Sequence, residues 1–119
     1  AAAEVAERAG RIAHQIHQCV IGVIENMSAI ACPKCGEAMD LFGSGGGEET
    51  SRRLTTLVGG DVPLMGKVPF NIDLREGGDN GAPVVVSAPE SASAQAITAI
   101  VEKLVIRQGS LLGVRLGLA

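Results

Sequence analysis

The sequence predicts an α/β fold: a partial parallel sheet of two or three strands flanked by helices. Three observations carry this. An amphipathic stripe at helical spacing runs directly into a short, continuous, β-branched segment. The same alternation of helical and strand patterns returns downstream, and the Gly and Pro clusters fall between the patterned segments.

In residues 2–18, Val5, Ala9, Ile12 and Ile16 recur at steps of four and three with charges between them, which predicts a helix that lays one face on the sheet. Residues 19–24, Cys-Val-Ile-Gly-Val-Ile, predict a strand buried on both faces. Over residues 25–47 the periodicity is lost while Pro33, Gly36, Gly43 and three further glycines accumulate, so a long structured loop is expected, of the kind that carries function. Residues 48–58 predict a second helix, with Glu48 and Glu49 in its positive first turn, Leu54, Leu57 and Val58 facing inward, and Gly59 as its stop. Residues 64–68 form the second predicted strand, ended by Pro69, and residues 71–76 a helical turn capped by Asn71 or Asp73. Asp79-Asn80-Gly81 signals a turn. Residues 83–86 read as an edge strand or an extended connection, because Pro83 does not suit a central strand. A last helix follows Pro89: Ser91 caps it, Ile97, Ile100, Val101, Leu104 and Val105 share a face, Lys103 and Arg107 suit its negative end, and Gly109 stops it. Residues 110–119 repeat Leu and Gly without a period and read as a loosely ordered or partner-docked tail. So narrow a sheet leaves edges unpaired, which predicts a piece of a larger sheet or self-association, including exchange of elements between chains.

Composition limits the function. The chain has 119 residues, a net charge of −3, two Phe and no Trp or Tyr. Without aromatic stacking faces or a basic surface, nucleic acid is not an expected partner. No segment approaches the roughly 20 apolar residues that span a bilayer, and Glu4, Glu7 and Arg8 interrupt the Ala-rich start, so a cytoplasmic location off the membrane is expected. Three cysteines, two of them close together, suggest metal or redox chemistry rather than a disulfide framework.

Cys32-Pro33-Lys34-Cys35-Gly36 is the sharpest motif. Two intervening residues let both sulfurs face one metal, and Gly36 lets the chain turn back. Tetrahedral zinc and a 4Fe-4S cluster both call for four ligands, so a second copy of the loop across a two-fold axis is the economical source of the other pair. Standing alone, such a motif fits zinc first, a redox pair second and iron–sulfur third. Cys19 reads as a buried inert thiol, and His14 and His17 as residues of a solvated helix face. The run Gly43-Ser44-Gly45-Gly46-Gly47 is followed by two glutamates and does not fit GxxxxGK[ST].

The ordered set of Gly22-Val23-Ile24-Glu25-Asn26-Met27-Ser28, CPKCG, Leu41-Phe42-Gly43-Ser44-Gly45-Gly46-Gly47, Val62-Pro63-Leu64-Met65-Gly66-Lys67-Val68-Pro69-Phe70, Gly81-Ala82-Pro83-Val84-Val85-Val86 and Pro89-Glu90-Ser91 resembles the C-terminal half of the Mrp/ApbC family, MinD-related deviant-Walker P-loop ATPases. The resemblance implies that residues 1–109 are the C-terminal portion of such an ATPase domain, with 25–47 as its cluster-binding loop. It implies a homodimer in which Cys32 and Cys35 of each subunit hold a bridging 4Fe-4S cluster for transfer to apo iron–sulfur proteins. It further implies that Asn26 reads adenine and that Val68 and Pro69 wall the same base, in a protein that binds ATP and magnesium. No phosphate loop occurs in this sequence, so the chain by itself is expected to be inactive as an ATPase and to be a truncated fragment. The alternative is a zinc-bridged dimerisation module without enzymatic activity.

Overall fold

A computed structural model describes residues 2–32 and 34–108. The elements are α1 (Ala2–Gln15), β1 (Val23–Ala31), β2 (Ala38–Met39), α2 (Gly46–Val58), β3 (Leu64–Phe70), α3 (Ile72–Asn80), α4 (Val84–Ser87) and α5 (Ala92–Gln108). The sheet has the order β2-β1-β3, with β1 and β3 parallel and β2 antiparallel to β1. The expected α/β class and the parallel pair are present. The third strand is not residues 83–86 but the short return arm after the cysteines.

The first strand lies later than its apolar run suggested. Sheet pairing begins at Val23, where Val23 stands opposite Leu64, and continues through the more polar Glu25 and Asn26. Residues 19–22 precede the sheet, so Cys19 is exposed rather than buried. Pairing with a neighbour, not hydrophobicity, sets the strand's limits, and β1 takes up the first part of what read as loop. Pro69 likewise does not end β3. It sits on an edge strand, opposite a register shift between Asn26 and Ile30 where β1 bulges, so the N–H that proline lacks is not needed there. Residues 83–86 form a helical turn instead of a strand: the Val86 and Ser87 amides donate to the Pro83 carbonyl at 2.9 and 3.0 Å. Pro83 is tolerated there because a helix start needs no amide from it.

The core lies between β3 and α5. Met65, Val68 and Ile100 are buried together, with Leu74, Ile97 and Leu104 packed around them. Gly66 permits this approach, since a Cβ there would lie 2.5 Å from Ile100 Cγ1. Two polar ties hold the same pair of elements. The buried Ser93 hydroxyl donates to the Pro69 carbonyl at 3.3 Å, and Lys103 Nζ donates to the Met65 carbonyl at 2.8 Å instead of serving its own helix end. Ser91 caps α5 as expected, accepting from the Ala94 amide at 3.2 Å, and Asn71 caps α3. Val101 and Val105 are exposed, against expectation, because β3 is the sheet edge and offers α5 only one strand to cover.

On α2, Leu54 is buried, Gly59 in the left-handed conformation is the helix stop, and Ser51 and Thr55 clasp the fully buried Val62 through its backbone. The α1 helix packs mainly on α2 rather than on the sheet. Gly10 is buried against Leu54, and Arg53 pairs with Glu7 at 3.2 Å. That contact rotates the apolar stripe outward, leaving Val5, Ile12 and Ile16 exposed. The expected stop at Gly109 and tail at 110–119 lie outside the described residues.

Candidate functional site

The two cysteines of the motif stand on a β-hairpin. Ile30 pairs with Met39 and Ala31 with Ala38, so the arms are in register on either side of the cysteine turn. Inside it, the Cys32 amide donates to the Glu37 carbonyl at 2.8 Å and the Gly36 amide returns to the Cys32 carbonyl at 2.8 Å. Gly36 has φ 76°, the left-handed geometry expected of it, which a side chain would strain. Cys32 is half-buried and Cys35 is exposed, and both are free thiols.

The turn also prepares a thiolate. The Lys34 backbone amide, then the Cys35 amide, and then the Cys35 thiol hydrogen-bond to the Cys32 sulfur and hold it below the ordinary cysteine value. Amides directed at sulfur are a recurring way to stabilise metal-bound thiolates and tune cluster potential. Among the described residues, no group of three or more His, Cys, Asp or Glu is placed to hold a metal. The hairpin therefore brings two free thiols close together on one chain, a pair that could serve as soft metal ligands. His14 and His17 are exposed at and just beyond the end of α1, and Cys19 is exposed before β1. The return arm of the hairpin is apolar: Met39, Leu41 and Phe42 are exposed, with Phe42 at 72%.

Asn26 lies midway along β1, opposite Val68. The parallel register thus brings Asn26, Val68 and the adjoining Pro69 side by side. The Val68 side chain is buried in the core, and the Pro69 carbonyl accepts from the Ser93 hydroxyl. Asn26 Oδ1 accepts from the Met27 amide at 2.9 Å, bracing Met27 at φ 57° where the strand bulges. A cavity of about 560 Å³ opens beside Asn26, bounded by Met27, Ile24, Phe42 and the first residues of α1 and α2. Val68 and Pro69 do not line it.

Two residues at this place, Glu25 and Lys67, were given no role from the sequence, and Glu48 was read only as a first-turn acid of its helix. Lys67 Nζ lies 2.7 Å from Glu48 Oε1 and 3.4 Å from Glu25 Oε2, an ion pair that joins β3, α2 and β1. The hydrogen bond from Lys67 lowers the Glu48 pKa, and Glu48 in turn raises that of Lys67. A sequence signal was available, since Glu25 and Lys67 are the charged residues of strands that otherwise carry none. Among the described residues, no helix is long and apolar enough to cross a membrane.

Comparison with known proteins identifies the family. Residues 1–105 match the ParA family model described as "NUBPL iron-transfer P-loop NTPase". The chain is 48% identical over 118 residues to an iron-sulfur cluster carrier protein of Mycobacterium bovis, covering 99% of this chain and 31% of that protein. It is 49% identical over 100 residues to the iron-sulfur cluster carrier protein of Synechocystis, covering 83% of this chain and 27% of the relative. It is 44% identical over 85 residues to the rat cytosolic Fe-S cluster assembly factor NUBP2, covering 71% and 29%. The matched region thus spans between a quarter and a third of the length of these relatives. A paired-cysteine hairpin on a parallel β-α-β unit, matched over nearly the whole sequence by iron–sulfur carriers, places this chain in the iron-transfer P-loop NTPase family.

Proposed function

We propose that this chain is the cluster-binding part of an iron–sulfur carrier. Two copies present their hairpins to one another, Cys32 and Cys35 of each grip one 4Fe-4S cluster, and the cluster is cargo passed to apo iron–sulfur proteins. The observation that supports this best is the hairpin itself: two accessible thiols, one of them already biased toward thiolate, with no third ligand nearby among the described residues. A cluster needs four thiolates, and a two-fold axis doubles a set of two. Soft sulfur ligands at an exposed turn also leave the cargo within reach of an acceptor's cysteines. The exposed Met39, Leu41 and Phe42 on the same hairpin supply apolar contact area for the partner copy.

In the intact protein we assign ATP with magnesium to a site in which Asn26 meets the adenine edge and the backbone at Val68 and Pro69 lies alongside. The Asn26 amide group and the second lone pair of its carbonyl remain for a purine after the Met27 contact is made. Phosphate-binding groups are not supplied by this sequence, so ATP hydrolysis is not expected of it alone. The working compartment on this reading is the cytoplasm.

Anaerobic reconstitution with ferrous iron and sulfide tests the proposal. The broad visible absorbance of thiolate-to-iron charge transfer is expected, and its loss when Cys32→Ala and Cys35→Ala are combined. A colourless wild-type chain, or colour that survives the double substitution, overturns it. Zinc at one per two chains with no iron would make the hairpin a dimerisation clasp instead.

A further inference from the structure

Glu25 and Asn26 are neighbours on β1, but the Glu25 side chain turns toward the start of α2. Its carboxylate covers Gly46 and Gly47: a Cβ on Gly47 would lie 2.9 Å from Glu25 Oε2 and 2.9 Å from Leu64 Cδ1, so a side chain there would have to push the carboxylate aside. A negative group at the first turn of this 13-residue helix is favoured by the helix dipole. Lys67, the register partner of Glu25, reaches both Glu25 and Glu48. Glu25 Oε2 is nonetheless buried without a hydrogen bond, so the carboxylate is held there by packing and charge rather than by an aligned donor.

The location gives this contact its meaning. The cysteine hairpin leaves the sheet as the end of β1 and rejoins the fold at Gly46, where α2 begins. Glu25 ties that rejoining point back to β1. The excursion is thereby closed into a ring whose ends are held near one another, which lowers the conformational freedom left to the turn that carries the thiols.

We propose that Glu25, steadied by Lys67, is a positioning residue that holds the cysteine hairpin in its cluster-binding geometry and couples it to the strand bearing Asn26. A displacement of β1 at Asn26 moves Glu25, and through Gly46 and Gly47 it moves the return arm of the hairpin. This rests on the reading of Cys32 and Cys35 as cluster ligands and adds a control point to it.

The test has one arm that needs no cluster. Amide hydrogen exchange on the metal-free chain follows the Gly36 and Cys32 amides, both bonded inside the turn. Glu25→Gln and Lys67→Met are expected to speed exchange there by about fivefold, a shift typical of losing one modest interaction. Lys67→Arg, which keeps the charge, restores the wild-type rate, and the Ile100 amide in the core does not change. Glu49→Gln, which breaks the exposed pairs with Arg52 and Arg53 on the same helix, is the control and leaves the turn unaffected. In the second arm, the reconstituted Glu25→Gln and Lys67→Met chains lose iron to a chelator faster than wild type by a similar factor. Should Glu25→Gln fail to fold, the two Lys67 variants decide alone. Wild-type exchange in Lys67→Met, or equal acceleration in Glu49→Gln, overturns the positioning role. A wild-type chain that takes up no cluster overturns the underlying reading, whatever the exchange rates show.

Discussion

On the β3 side of β1, apolar residues from the strand and from α5 enclose one another, and two side chains of α5 end on β3 carbonyls. On the other side, β1 has among the described residues a partner only at Ile30 and Ala31, a cavity opens beside Asn26, and Ile24, Met27 and Phe42 remain exposed. The same strand therefore borders a finished core and an unfinished one. The finished side holds the buried cluster of Met65, Val68 and Ile100. The unfinished side carries the cysteines, and its exposed apolar residues and open edge are what a chain shows when further protein belongs against it. That agrees with a chain spanning about a third of its relatives' length.

Substitutions can sharpen that contrast. Ile100→Ala empties the centre of the core and is expected to cost about 2–5 kcal/mol in denaturant unfolding. Ile12→Ala, on the outward stripe of α1, should stay within about 0.5 kcal/mol in the same experiment. Equal losses at both positions would break the division into closed and open sides. Gly66→Ala forces a methyl onto Ile100 and is expected to destabilise by roughly 1–3 kcal/mol. Ser91→Ala removes the α5 cap and should cost about 1 kcal/mol by the same measurement.

The smallest effect lies on the open side and concerns pH. The turn amides lower the Cys32 pKa in the folded chain, so the folded state favours the thiolate. The resulting stability is present above the unfolded cysteine pKa and is lost as pH falls through the lower folded value. Alkylation of Cys32, followed peptide by peptide, should therefore reach half its maximal rate at a lower pH in the folded chain than in urea. Coincident profiles would show that the hairpin does not hold its thiolate.

What could be read from the sequence follows the same division. Helices with caps and stripes were legible because their signals are local: Ser91, Asn71 and Gly59 act where the sequence put them. The paired cysteines and the turn glycine were legible for the same reason. Strand limits were not, because Val23 to Asn26 become a strand by facing Leu64 to Val68, a partnership forty residues away that leaves no local mark. Pro69 looked like a terminator because nothing in its neighbourhood reveals the bulge it faces. Cys19 looked buried because an apolar run was taken for a strand. The direction of the α1 stripe was set by Gly10 meeting Leu54, a fit between two distant residues. The Glu25–Lys67–Glu48 bridge was missed because it joins three elements whose meeting point only the fold defines.

Shared ligation requires a second pair of thiolates from another copy, and native mass spectrometry of the anaerobically loaded chain addresses that most directly. The predicted species is two polypeptides carrying a single 4Fe-4S cluster, absent when Cys32 and Cys35 are both alanine. A cluster retained by a lone polypeptide, or a pair that holds together with its metal while lacking both cysteines, would contradict it.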